Sequence, residues 1–153
     1  MNYRYSKLAL TDSLWSLIPI FPLWTIFFGV FIAEGLRTKI DCEKAYWVTE
    51  WGLFGIAIGL IVIFVFRLLK WEKTWKERQN KRYYRLFNLA IYTLINNSLL
   101  ILIVSPNIAC YGQSDSILAV IISGPISSVV VLIVGLSIDL LRKSSANRNL
   151  LPA

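Results

Sequence analysis

The sequence contains no histidine, a single methionine and only two cysteines among 153 residues. Without histidine the chain lacks the commonest general base, proton switch and metal ligand. Two distant cysteines supply neither a Cys-x-x-Cys redox pair nor a metal cluster. The quinone-linked, disulfide-generating four-helix enzymes need a further catalytic cysteine pair, so that chemistry is excluded. There is no Gly-rich phosphate loop and no nucleophile elbow. Charge is also scarce: 16% of residues are charged and 56% are hydrophobic, against about 25% and roughly 45–50% in an ordinary soluble domain. With a mean hydropathy of +0.59, the composition excludes disorder and a water-soluble globule. No catalytic residue, cofactor site or metal site is expected.

What the chain has in abundance is apolar length. Leu14–Ala33, Trp51–Leu69, Leu86–Val104 and Ile117–Ile138 together hold 80 of its 153 residues. Each comes to about the 20 residues of helix that cross a hydrocarbon core about 30 Å thick. Runs such as Ile56–Phe64 and Val129–Val134 do not alternate in polarity, which argues against a membrane barrel. Backbone in lipid must bond to itself, so the segments read as helices. The expected fold is an all-α membrane protein over residues 1–153, with four transmembrane helices in two hairpins and no separate extramembrane domain.

The basic residues orient it. Segment 67–85 carries eight of them against Glu72 and Glu77, and Arg4, Lys7, Arg142, Lys143 and Arg148 flank the two ends. The connector 105–116 has no Lys or Arg, and the connector 34–50 has three against four acids. Because cytoplasmic loops hold the Lys/Arg excess, both termini and segment 67–85 are placed in the cytoplasm, which collects thirteen of the sixteen basic residues. The net charge of +7 then follows from topology and calls for no nucleic-acid partner. The first span is too long for a signal-peptide core and lacks a small-x-small cleavage site. It is read as retained, with Pro19 and Pro22 loosening its first half. Trp15, Tyr46, Trp47, Trp51, Trp71, Trp75, Tyr83, Tyr84 and Tyr111 fall near span ends, where amphipathic rings collect; Trp24 lies inside a span.

Cys42 and Cys110 fall one in each outer connector, so they are candidates for a bridge on an oxidising face. No acid is expected in mid-membrane: Glu34 and Asp139 lie at span ends, Glu50 just before a span, and Asp139 can pair with Arg142 along a helix. This counts against proton-coupled drug export, which in small four-helix exporters uses a Glu inside the first helix. Asn96, Asn97 and Ser98 sit near the centre of the third span, where amides require partners. Counting depth from the connector 105–116, and noting that Pro125 frees the carbonyl of Ile121, the fourth helix around residues 121–124 is the expected partner. Gly55-x-x-x-Gly59, with Gly52 before it, and Gly124-x-x-x-Ser128 are small-residue faces that let helices approach closely; the first could also serve a homodimer. In segment 67–85, Trp71 and Trp75 lie one turn apart with Lys70, Lys73, Lys76 and Arg78 around them, a pattern suited to a helix at the lipid surface.

These features favour a small non-enzymatic inner-membrane protein whose partners are lipid and another membrane protein or membrane-active toxin. Bacterial toxin-immunity proteins, and the exclusion proteins that keep a plasmid-bearing cell from receiving a second copy in conjugation, share its size and design. A transport or channel component and an accessory subunit of a larger membrane complex are the alternatives.

Overall fold

The computed structural model describes residues 4–18, 20–71, 77–105, 110 and 116–148. The elements are α1 (Arg4–Ser13), a 3-10 turn over Leu14–Leu17, α2 (Ile20–Arg37), α3 (Cys42–Trp71), α4 (Glu77–Ser105) and α5 (Ser116–Arg148). No strand occurs among the described residues. Four stretches are long and apolar enough to cross a membrane: Ile20–Arg37, Cys42–Leu68, Lys81–Leu102 and Ile122–Lys143.

The distribution of polarity identifies the solvent. Trp24, Phe27, Phe31, Val62, Ile63 and Phe66 are exposed, Phe31 by 82%. Asn88, Asn96, Asn97, Ser123 and Ser127 are buried, none exposed by more than 2%. Water would reverse both sets; hydrocarbon favours this arrangement, because polar side chains must then find partners inside the bundle.

Helix α4 is the axis and packs against α1, α2, α3 and α5. Phe64 of α3 stacks on Phe87 of α4 with ring centroids 4.1 Å apart, and the Ser98 hydroxyl donates to the Glu50 carbonyl at 3.1 Å. Between α2 and α3, the Tyr46 hydroxyl donates to Glu34 at 2.6 Å, and Arg37 pairs with the same carboxylate at 3.3 Å. At that end of the bundle a disulfide joins Cys42 to Cys110, with Cα atoms 6.0 Å apart.

The segment before the first apolar stretch is a helix in its own right. Tyr5, Ala9 and Ser13 form its buried stripe, at the four-residue spacing of one helix face. Its first-turn amides have no partner within the helix. The Asp139 carboxylate of α5 accepts from the Tyr5 and Ser6 N–H groups at 3.2 and 2.9 Å and from the Ser6 hydroxyl at 2.8 Å. A negative charge at a helix N-terminus is favourable by about 0.3–1 kcal/mol, and by more when partly buried. Close approach is permitted by Gly135: a Cβ there would lie 2.9 Å from Ala9 Cβ and 3.3 Å from the Ser6 backbone. Burial pushes the Tyr5 phenol above its ordinary pKa, so it stays neutral under the Arg142 guanidinium, 5.1 Å from the ring centroid.

Several expectations change. The first spanning helix begins at Ile20, not Leu14, so Pro22 falls in its first turn, where a missing N–H costs no bond; Pro22 therefore does not loosen the helix, and Pro19 lies outside the described residues. The second begins at Cys42, not Trp51, and so includes Glu50. The Asp139 oxygens cap α1 rather than serving only a pair along α5. Lys73, Trp75 and Lys76, with the side chains of Lys70, Trp71 and Arg78, lie outside the described residues, so the surface-helix expectation is not addressed.

Gly135→Val should detach α1 from α5 and destabilise the bundle by about 1–3 kcal/mol, read as a lower melting temperature in detergent. Gly35→Ala, whose new Cβ would meet nothing within 4 Å among the described residues, serves as the control and should change little. Reducing the disulfide, or Cys42→Ser with Cys110→Ser, should cost about 2–4 kcal/mol by the same measurement.

Candidate functional site

Three features have the makings of a site: a polar clasp between α2 and α4, an open glycine face on α3, and a cavity where α1 meets α4.

The clasp is built from Asn96 and Asn97. Asn97 Oδ1 accepts the Gly29 N–H of α2 at 2.8 Å, while its Nδ2 donates to the Thr93 carbonyl at 2.7 Å. Asn96 Nδ2 donates to the Thr25 hydroxyl, which itself donates to the Pro22 carbonyl at 2.8 Å. The partner is thus α2 and not α5 near residues 121–124. Depth alone could not separate them, since α2 reaches the same level. Thr25 and Gly29, four residues apart, form a small polar face that brings α2 close enough for an amide to reach its backbone. Gly29 is required for this: a Cβ would lie 2.6 Å from Asn97 Oδ1. The Oδ1 of Asn96 has no hydrogen-bond partner among the described residues.

The two expected small-residue faces differ. Gly124 and Ser128 turn inward and are buried, and Ser127 beside them donates to the Ser123 carbonyl at 2.8 Å. A Cβ added at Gly52, Gly55 or Gly59 would meet nothing within 4 Å among the described residues. These glycines lie at i, i+3 and i+7 and share one face with Val48 and Val62, which are 45% and 61% exposed. Above and beside this face runs an exposed aromatic ladder, Trp47, Trp51 and Phe54, with successive ring centroids 6.4 and 6.2 Å apart.

The cavity was not foreseen. It holds about 410 Å³ and is lined by polar Asp12, Arg85 and Asn88 among Trp15, Phe21, Leu86, Leu89, Tyr92 and Val131. Asp12, at the end of α1, accepts from Asn88 Nδ2 at 2.8 Å and lies 3.7 Å from Arg85 Nε. Asp12 of α1 therefore packs against Arg85 and Asn88, within the first eight residues of the Lys81–Leu102 stretch, and Glu50 lies inside α3. The missed signal was the helical spacing of Tyr5, Ala9 and Ser13, which folds residue 12 back onto the bundle. Among the described residues no cluster of three or more acids or cysteines could hold a metal.

Gly29→Ala and Asn97→Ala should each lower stability, Asn97→Ala by about 1–3 kcal/mol because it removes the two hydrogen bonds of a buried amide. Asn97→Ala also removes the nearest atom that the new methyl would strike, Oδ1 at 2.6 Å, and leaves the Cβ of residue 97 and Ile101 Cδ1 at 3.0 Å. The double variant should therefore lose less than the sum of the two, a coupling readable in a thermal double-mutant cycle.

Comparison with protein-family models, curated proteins and solved structures finds no match to this chain.

Proposed function

We propose that the chain is a non-enzymatic, multi-pass protein of a bacterial inner membrane that acts by recognising another membrane protein or a membrane-active toxin. In this reading the helices form two hairpins, both termini and segment 67–85 face the cytoplasm, and the Cys42–Cys110 bridge lies on the oxidising side. Toxin immunity and exclusion during conjugation are the two roles that suit a bundle of this size and design.

The observation that carries the proposal is the open glycine face of α3. Glycine inside a helix costs about 0.5–1 kcal/mol relative to alanine. Gly29 and Gly135 offset that cost through contacts no larger residue would permit. Gly52, Gly55 and Gly59 have no such contact among the described residues. Lipid tails need no such groove, whereas a second helix does. The adjoining tryptophans are the residue type that most often anchors an interface.

The test places a photo-crosslinking residue at Ile58, 47% exposed and next to Gly59, in cells carrying the native partner. A cross-linked product with a different protein is expected, lost in Gly55→Leu/Gly59→Leu. That variant should accumulate and melt as the parent does, because a Cβ at either glycine would meet nothing within 4 Å among the described residues. A product of twice the chain's own mass and nothing else would replace the partner by a second copy. Solute flux through the purified protein in vesicles would instead establish a transport role.

A further inference from the structure

The helix of the N-terminal segment does not run on into α2. It ends at Ser13, a 3-10 turn covers Leu14–Leu17, and α2 starts at Ile20. The cavity of about 410 Å³ lies beside this break, and Trp15 and Phe21 from either side of it are among its walls. Its polar groups are already occupied. Asp12 accepts from Asn88 Nδ2 at 2.8 Å and lies 3.7 Å from Arg85 Nε, so the two charges offset each other. Asn88 Oδ1 and the Tyr92 hydroxyl are covered, and neither reaches the space. An occupant therefore meets ring and hydrocarbon: Phe21 and Tyr92, with ring centroids 5.1 Å apart, together with Trp15, Leu86, Leu89 and Val131. Val131 is buried, whereas Trp15, Leu86 and Leu89 are exposed, so the space opens outward from a floor at Val131.

An empty apolar space forfeits the contacts that close packing supplies, so an occupant of the right shape stabilises the bundle. Trp15, Leu86 and Leu89 belong to the apolar exterior, so what meets the mouth is the hydrocarbon of the bilayer. A helix, about 10 Å across, is too wide to enter. A cavity of about 150 Å³ admits the six carbons of benzene, and on that scale about 410 Å³ takes roughly sixteen carbons. That is one lipid chain and not two. We propose that the cavity binds a single lipid acyl chain, selected by its length and not by its headgroup. Because Asp12 and Arg85 are paired with each other, zwitterionic and anionic headgroups are treated alike. The inference needs the exterior to face hydrocarbon and is independent of partner recognition through α3.

The experiment uses the full-length protein in a fluorinated detergent, whose own chains mix poorly with hydrocarbon. It is titrated with lysophosphatidylcholines carrying octanoyl, dodecanoyl, palmitoyl or arachidoyl chains, with palmitoyl lysophosphatidylglycerol, and with chain-free glycerophosphocholine. Bound molecules are counted by native mass spectrometry, and the melting temperature is read in parallel. One palmitoyl chain per protein is expected, with a rise in melting temperature. A buried methylene adds up to about fourfold in affinity, so palmitoyl should bind at least tenfold tighter than octanoyl. Affinity should level off between palmitoyl and arachidoyl, be the same for both headgroups, and vanish without a chain. A palmitoyl chain ending in a diazirine should label Phe21, Leu89 or Val131 ahead of Val62, Ile63 and Phe66, which are exposed on α3. Leu89→Trp, which narrows the cavity from an exposed position, should lower retention at least tenfold. Affinity that climbs with chain length without a plateau, or labelling spread evenly onto α3, describes bulk lipid and overturns the proposal. A tenfold preference between the headgroups overturns it too, since the charged rim would then select. Unchanged retention by a folded Leu89→Trp also overturns it. Should that variant not fold, the plateau and the labelling of the parent protein decide.

Discussion

An amide surrounded by hydrocarbon has nothing to bond to, and this constraint governs the whole bundle. Each polar side chain carried into a span must be satisfied by another helix, by its own backbone or by a ligand. Asn97 meets the constraint with both ends of its amide, one on the Gly29 backbone and one on its own helix. Ser98 and Tyr46 meet it by reaching α3 and α2. Burial of apolar area provides little association energy among helices already in lipid, so these bonds and the close contacts at glycine select the arrangement. The position of α4 follows: it carries Asn88, Asn96, Asn97 and Ser98, and every other helix packs against it.

The same constraint explains α1. A ten-residue helix with a weak apolar stripe is marginal alone. It is held because Asp139 satisfies its first amides, Gly135 admits its backbone and Asn88 binds Asp12 at its far end. Each of these groups belongs to α4 or α5. The N-terminal segment is thus an integral part of the bundle and one wall of the cavity.

Much of this was legible in the sequence. Apolar length marked the four spans, because hydrocarbon thickness sets a length that any sufficiently long run reveals. The cysteines marked themselves by falling one in each of the two connectors expected on the outside, and the structure joins them. Asn96 and Asn97 stood out as polar residues at depth, but their partner did not. Several helices reach any given depth, and the choice of α2 depended on Thr25 and Gly29, small residues that carry no strong signal alone. The early starts of α1 and α3 were hidden because polar residues such as Glu43, Lys44 and Lys7 interrupt hydropathy without interrupting a helix. Glu50 therefore looked to precede a span and lies inside α3, and Asp12, which carried no signal of its own, lies against α4.

The central claim is that hydrocarbon surrounds the apolar exterior while the polar clasp faces inward. Spin labels on single cysteines introduced at Phe31, Val62 and Ile133 of the protein in vesicles test it directly, since the native disulfide leaves no other thiol. These sites should show high collision rates with oxygen and low rates with a water-soluble nickel chelate, and a label at Ser127 should be shielded from both. High accessibility of the three exterior sites to the chelate would contradict the claim.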